Sequence, residues 1–390
     1  MKNNLPKWPY FADDEIAAVD RVLQSGKVNY WTGEECKLFE QEYAEYLGVP
    51  YAIALANGTV ALELALHALG IGAGDDVIVP ARTFIASASC VVMRGARPLV
   101  ADIDRNSQNI TVETIAQVIT PKTKAIIVVH LAGWPCDMDP ILEYAKQHNL
   151  KVIEDCAQAH GAYYKNKPVG SFGDAAAFSF CQDKIITTGG EGGLLALKDL
   201  ELWKKAWAYK DHGKNYELIS QPISSPGFKW THDSFGTNWR MIEMQAAIGR
   251  LQLSKLPGWI EARRNNADIL TACFEKFSVL RITRPDKNCY HSYYKYYVFI
   301  NKEAIKPDWN RDKVMHAIQE AGVPCFTGSC PEIYQEKAFI DAGFAPKERF
   351  SIAKELGETS LMFLVHPTLS SEDMQAMCST IERVIRRCAV

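Results

Sequence analysis

No apolar run in this chain approaches the roughly 18–20 residues needed to span a bilayer, and no low-complexity segment or long block of like charge interrupts it. Neither a membrane helix nor a polyionic tail is expected. Charge of one sign is also lacking: 43 Lys and Arg stand against 46 Asp and Glu, a net charge of −3. A nucleic-acid partner, which needs a basic footprint, is therefore not expected, nor is a membrane partner. The opening Met-Lys-Asn-Asn-Leu-Pro-Lys has no signal-peptide core, so the reading places the protein in the cytoplasm. Eleven cysteines run from Cys36 to Cys388 without one CxxC pair. Cys325 and Cys330 are the closest couple, and no His/Cys spacing follows to complete a zinc set, so no metal is expected. The cysteines read as reduced core residues.

What is present is 390 residues, 47% of them hydrophobic, enough for two lobes because single cores stop growing near roughly 250–300 residues. Two amphipathic helices are predicted before residue 50. One carries Ile16, Val19, Val22 and Leu23 on its buried face, capped by Asp13 and Asp14 and stopped near Gly26; the other carries Phe39, Tyr43, Tyr46 and Leu47, stopped at Gly48. From residue 51 short apolar runs alternate with helical stretches, at 51–55, 77–80, 98–101, 125–130, 152–155, 175–180 and 194–197. Runs without polar alternation imply strands buried on both faces of a largely parallel sheet, hence an α/β domain. A long helical stretch from about Met241 to Phe277 follows, with Glu261-Ala262-Arg263-Arg264 read as a solvated face. The remainder, with a strand at 293–300 and helices at about 311–321 and 371–387, reads as a small α+β lobe of about 120 residues. Residues 1–260 are thus expected to form the large domain and 261–390 the small one.

Open α/β sheets bind ligands at the carboxyl ends of their strands. Four such places stand out. Asn57-Gly58-Thr59 opens an apolar helix, whose first N–H groups and dipole make a phosphate seat, or merely a capped helix. Glu154-Asp155 ends a buried strand, and a carboxylate there facing a cleft needs a cation such as a protonated ring nitrogen. Lys184 follows the run ending at Phe180, precedes two isoleucines, and lies against Gly189, Gly190, Gly192 and Gly193, which allow close backbone approach to a ligand. Desolvation there favours the neutral amine that attacks a carbonyl, and Ser179 can bind a phosphate oxygen. Phe84, after the run at 77–80, offers a ring face for stacking. A Schiff-base lysine, an acid for a pyridine nitrogen and a phosphate seat are together the requirements of pyridoxal phosphate.

At these residues the chain resembles the DegT/StrS family of nucleotide-sugar aminotransferases over nearly its whole length. The resemblance is carried by Asn57-Gly58-Thr59, residues 74–80, Thr83-Phe84, Asp102-Ile103-Asp104, Glu154-Asp155 with residues 157–162, Gly173-Asp174, Ser179-Phe180, Lys184 with residues 190–193, Asn238, Arg240-Met241 and His366-Pro367. It implies an aspartate-aminotransferase-like fold (PLP fold type I), a mixed, mostly parallel sheet flanked by helices with a smaller C-terminal α+β lobe. It also implies that Lys184 is the Schiff-base and proton-shuttling residue, that Asp155 pairs with the pyridine nitrogen, and that Phe84 stacks on the ring. Gly58, Thr59 and Ser179 would hold the phosphate, Gln158 would touch the ring hydroxyl, and Asn238 would reach the phosphate of a neighbouring subunit in a homodimer with shared sites. Family members with His at the lysine position are dehydratases, so Lys184 argues for transamination. Arg82, Cys181, Gln182, Trp239 and a longer stretch at 215–236 depart from the family pattern; they flank the cofactor contacts.

The implied reaction moves an amino group from glutamate to a nucleotide-linked 4-keto-6-deoxyhexose, with a UDP-linked 2-acetamido sugar aminated at carbon 4 preferred, for bacterial surface-glycan synthesis. Tyr30, Trp31, His212, Lys214 and Arg240 are candidate sugar or pyrophosphate contacts, with loop packing as the competing explanation. Carbon-3 amination of a dTDP sugar is the nearest alternative. A non-catalytic protein of the same fold, and a pyridoxal lyase or desulfurase using a cysteine, are the alternatives from other classes.

Overall fold

The seven apolar runs pair side by side in the computed structural model, which describes residues 5–221 and 228–390. Across the sheet the order is Tyr51–Leu55, Gly193–Leu197, Ala175–Ser179, Lys151–Asp155, Thr123–Val129, Asp76–Pro80 and Arg97–Ala101. Gly193–Leu197 runs antiparallel to both its neighbours, and every other pairing is parallel. Parallel pairing requires crossovers, which place helices over the sheet. Asp76–Pro80, Ala175–Ser179 and Gly193–Leu197 are accordingly buried at every position, the reason their sequences do not alternate. One face packs Ile53, Leu62, Leu66, Val79 and Ile127; the other packs Phe39, Tyr43, Phe178, Phe180 and Ile185. This is the mixed, mostly parallel sheet of PLP fold type I.

The C-terminal lobe is built on a three-stranded antiparallel sheet of Leu280–Arg281, Tyr296–Ile300 and Ser360–Phe363. Helices Arg311–Glu320 and Ser371–Cys388 cover it; the second starts with a reciprocal cap in which Ser370 and Asp373 each accept the other's backbone N–H. The helix Glu243–Phe274 runs unbroken through Pro257 and through the expected division at residue 260. It packs against both N-terminal helices and against Ser371–Cys388, and so belongs to both lobes. Among the described residues no helix is long and apolar enough to cross a membrane. All eleven cysteines are free, and only Cys181, Cys289 and Cys330 are not fully buried.

Three local expectations are corrected. Helix Asp13–Ser25 buries Glu15, Ala18 and Val22; of the expected face only Val22 is buried, Val19 is half-buried, and Ile16 and Leu23 are 59% and 54% exposed. An ion pair decides this: the Glu15 carboxylate accepts the Ala12 N–H and lies 3.2 Å from Lys255 on the long helix, which turns the Glu15 face inward. Ala12 is therefore the cap, while Asp13 and Asp14 sit in the first turn, favourable to the helix dipole. Arg263, assigned to a solvated face, is 1% exposed. Tyr293 has φ of 46° and precedes the strand, which begins at Tyr296. The longer stretch noted at 215–236 lies partly outside the described residues, since 222–227 are not among them.

Candidate active site

Two adjacent carboxylates end the strand Lys151–Asp155, and because successive strand side chains point to opposite faces they have different fates. Glu154 points into the core. It accepts N–H bonds from Gly170, Phe172 and Gly173 at 2.7, 2.8 and 2.7 Å, and His130 Nε2–H at 3.1 Å. Burial alone would raise its pKa, but these donors hold it below the ordinary value of 4.5. Cys156 lies close by, but the hydrogen bonds run elsewhere: His130 Nδ1 accepts the Cys136 N–H, so both His130 ring nitrogens and both Glu154 oxygens are partnered within the protein. Asp155 faces the other way, accepting from Ser87 Oγ at 2.7 Å and the Ala157 N–H at 3.1 Å. Burial raises its pKa above 3.8, against those bonds and the positive charge of Lys184.

The neighbouring strand Ala175–Ser179 delivers Ser179 to the same end of the sheet. Its carbonyl accepts the His160 Nε2–H at 2.9 Å, which leaves His160 Nδ1 to accept the Tyr43 hydroxyl at 2.7 Å. Burial pushes His160 down to about 4, so this neutral tautomer persists at pH 7. Opposite Ser179, Asn57 caps the helix Gly58–Ala68 by accepting the Val60 N–H, and the first-turn N–H groups of Gly58 and Thr59 have no intrahelical acceptor. The approach is close: a Cβ on Gly58 would lie 2.6 Å from the Ser179 Cβ. Lys184 follows in a turn closed by its N–H to the Cys181 carbonyl, anchored by Ile185 and Ile186, both 0% exposed. The glycines after it serve backbone packing: Gly189 and Gly190 have φ of 88° and 125°, and Cβ atoms on Gly192 and Gly193 would collide with Thr188 and the Asn57 carbonyl. Their expected ligand approach is not seen, for none of the four lines the cavity.

These elements open into one cavity of about 850 Å³. Gly58, Thr59, Phe84, Asp155, Gln158, Ser179 and Lys184 all line it. Phe84 is 65% exposed, presenting its ring, and Gln158 is fixed by accepting the Ala132 N–H. Sequence reasoning missed the opposite wall, supplied by the C-terminal lobe: Tyr294, Lys295, Tyr297, Phe326, Ser329 and Met362. Tyr294 donates its hydroxyl to Asp183, and Lys295 Nζ lies 3.5 Å from the same carboxylate. Burial would raise Asp183, but that hydroxyl together with Lys184 and Lys295 holds it below its ordinary value. These residues follow no strand-end rule within their own lobe; the one available signal was their density of aromatic and basic side chains at 293–297.

Asn238 and the five candidate sugar contacts do not line this cavity. Asn238 is exposed, with its Oδ1 accepting the Arg240 N–H. Asp211, buried and unforeseen, gathers Arg240 at 2.7 Å and Lys214 at 3.3 Å, and Lys214 lies 4.1 Å over the Trp31 ring. Tyr30 is 4% exposed, between Trp207 Nε1, the Glu40 carboxylate and the ammonium of Lys210 at 3.5 Å from its ring. His212 is exposed, with φ of 60°. Together they form a separate aromatic and basic patch.

A family model for DegT/DnrJ/EryC1/StrS aminotransferases matches residues 9–382. The chain belongs to that family. An aminotransferase from Psychrobacter cryohalolentis superposes with a TM-score of 0.96 at 52% identity, over 98% of this chain and 99% of that one. The GDP-perosamine synthase of Escherichia coli O157:H7 is 36% identical over 363 residues, 93% of this chain and 92% of its own length. The dTDP-3-amino-3,6-dideoxy-alpha-D-galactopyranose transaminase of Aneurinibacillus thermoaerophilus is 36% identical over 369 residues, 94% of each chain.

This member of the DegT/DnrJ/EryC1/StrS family is a pyridoxal-phosphate-dependent aminotransferase, and its residues fit that cofactor. Asp155 is a buried carboxylate whose pKa burial raises despite Lys184, and a protonated pyridine nitrogen would give its charged form a direct partner. The cradle between Gly58 and Ser179, which a single Cβ would fill, adjoins two open helix-start N–H groups and suits a phosphate. Pyridoxal phosphate, when bound, supplies a carbonyl for the lysine and an electron sink for carbanion chemistry.

Proposed function

We propose that the enzyme transfers the amino group of glutamate to carbon 4 of a nucleotide-linked 4-keto-6-deoxyhexose, in the synthesis of a bacterial surface glycan. The observation that carries this reading is the convergence in one cavity of Lys184, Asp155, Ser179 and the start of helix Gly58–Ala68, facing a wall that includes Phe326, Met362 and Leu364. A deoxy sugar presents an apolar methyl group to such a wall. In this reading Lys184 takes the α-proton of the donor and returns a proton on the acceptor side; Asp155 keeps a proton on the pyridine nitrogen; Ser179, Gly58 and Thr59 hold the phosphate; Phe84 and Gln158 fix the ring. Residues 1–260 then carry the cofactor and 261–390 cap the cleft, in a cytoplasmic protein.

The acceptor assigned first is a UDP-linked 2-acetamido sugar. Two second readings rest on the relatives' names, a GDP-linked sugar and carbon-3 amination of a dTDP sugar. Supplying the purified enzyme with glutamate and a panel of UDP-, GDP- and dTDP-keto sugars decides among them. UDP-4-amino product supports the first assignment, exclusive use of a GDP or dTDP sugar replaces it, and no amination of any sugar removes the reading.

The active form proposed is a homodimer with shared sites. Supporting it are the placement of Asn238 and the patch of Tyr30, Trp31, His212, Lys214 and Arg240 outside this chain's own cavity, and three exposed aromatics beside them, Phe228, Trp230 and Phe235, at 77%, 81% and 99%. Phe228 and Trp230 pack edge to face at 5.4 Å, and exposed aromatic surface of this kind marks an interface. Light scattering at assay concentration tests it: a monomer that transaminates would end the shared-site proposal.

A further inference from the structure

Two cations line the large cavity among the described residues, Lys184 and Lys295. Lys184 is committed to the cofactor in the proposed function, so Lys295 is the one left for an anionic substrate. The backbone around it is fixed. The Tyr294 N–H donates to the Ala132 carbonyl at 2.8 Å, the Tyr294 carbonyl accepts from Arg263 Nη1 at 3.3 Å, and the strand Tyr296–Ile300 begins at the next residue.

The Lys295 ammonium has donors to spare. Its contacts among the described residues are one loose ion pair, 3.5 Å to the Asp183 carboxylate, and the Tyr294 ring, 4.6 Å to the centroid. An ammonium carries three N–H donors, so a second acceptor can be taken. The side chain is 15% exposed, which leaves it open to a ligand, whereas the idle nitrogens of Arg82, Lys210 and Arg263 are fully occluded. Asp183 can release Lys295 without being stranded: its side chain is 54% exposed and it keeps the hydrogen bond donated by the Tyr294 hydroxyl.

Position decides which anion it meets. Lys184 Nζ lies 5.0 Å from the centroid of the same Tyr294 ring, so both ammonium groups stand against one side chain. In an amino acid the α-carboxylate is bonded to the very carbon whose proton Lys184 takes. In a nucleotide sugar the diphosphate is attached at carbon 1, set apart from the reacting carbon 4 by the sugar ring. A cation beside the reacting amine therefore meets the carboxylate. The smaller cavity of about 320 Å³ behind this wall also borders Lys295 but not Lys184, so a reacting donor must approach from the large one.

We propose that Lys295 is a specificity residue for the amino donor: its ammonium binds the donor's α-carboxylate, turning from Asp183 when the donor enters and back to Asp183 when the oxo acid leaves. This rests on the proposed use of an amino-acid donor and is independent of which sugar accepts.

The test is the donor half-reaction of the holoenzyme, followed by loss of the cofactor's visible band with glutamate and no sugar. In Lys295→Met the half-saturating glutamate concentration should rise about tenfold or more, the scale of one charged hydrogen bond, with the limiting rate changed by less than about threefold. Lys295→Arg should recover most of that loss. Circular dichroism and an unchanged cofactor band show that each variant is folded and loaded, and Lys295→Gln takes the place of Lys295→Met if the latter is not. L-Norvaline, which has an α-carboxylate and no second one, should show the same factor; a factor present with glutamate and absent with norvaline places the ammonium on the distal carboxylate and overturns the assignment. Equal half-saturation in wild type and folded Lys295→Met, or a loss confined to the limiting rate, overturns it as well. An enzyme that takes nitrogen from glutamate in this assay yet aminates no sugar removes the sugar reading and leaves the Lys295 result standing.

Discussion

The indole Nε1 of Trp8 donates a 2.9 Å hydrogen bond to the backbone carbonyl of Lys184, a residue 176 positions away in the chain. Trp8 is itself gripped edge-on by Trp259 at 5.1 Å and stacked on His366 at 6.2 Å. The N-terminal segment therefore clamps the turn that carries Lys184, the amine assigned to the cofactor in the proposed function. Replacing Trp8 with Phe retains ring packing and removes this bond, worth about 1 kcal/mol. The expected result is a roughly fivefold slower donor half-reaction, read by stopped-flow absorbance, with the melting temperature lowered by about 2 °C.

The proposed pairing requires Asp155 to be ionised, and burial holds its pKa above the ordinary 3.8 while Ser87 pulls it down. Cofactor affinity should thus fall as pH drops through that raised value. Ser87→Ala removes the opposing bond, so the acid limb of cofactor binding moves to higher pH. Asp155→Asn abolishes the charge, a loss of about 3–5 kcal/mol, or roughly 10²- to 5 × 10³-fold in turnover. Equilibrium dialysis of cofactor across pH checks the first two statements, and steady-state rates check the third.

Glu154, one residue earlier, should behave as a structural group. Its folded pKa is depressed by His130 and three backbone N–H groups, so it adds stability above its unfolded value near 4.3 and loses it as pH falls through the folded value. Glu154→Gln turns one acceptor into a donor facing donors, and about 3–5 kcal/mol of stability should disappear. Urea unfolding measures this.

Four histidines give the protein an acid weakness. Burial is the main cause pushing His67 and His160 to about 4 and His291 and His366 to about 3. Between those values and the unfolded 6.5, the unfolded chain binds more protons, so stability rises with pH. The urea midpoint should be lower at pH 5.5 than at pH 7.5, and His160→Gln should flatten that dependence.

The sheet was legible because strands buried on both faces cannot alternate: the runs at 51–55 and 175–180 appear in the structure within a residue as Tyr51–Leu55 and Ala175–Ser179. One wall of the large cavity was legible for the same reason, since Asp155, Ser179 and Lys184, which line it, stand at or just after those strand ends. Periodicity misread helix Asp13–Ser25 because an ion pair of Glu15 with Lys255 outweighed the apolar stripe, and such a pair has no local signature. Arg263 was taken as solvated by residue type, although Trp8, Tyr294 and the C-terminal lobe bury it from distant parts of the chain. The strand Ser360–Phe363 escaped notice, being four residues that follow helix Ser351–Thr359 with no connecting loop. Tyr294 and Lys295 reach the site by lobe packing, which no spacing encodes.

The central claim is that Lys184 is the amine that reacts with the cofactor. Reduction of the holoenzyme with borohydride, followed by peptide mass spectrometry, tests it directly. The account predicts a single pyridoxyl adduct on Lys184 and none in Lys184→Ala. An adduct on any other lysine, or no stable adduct in wild-type enzyme carrying cofactor, would contradict it.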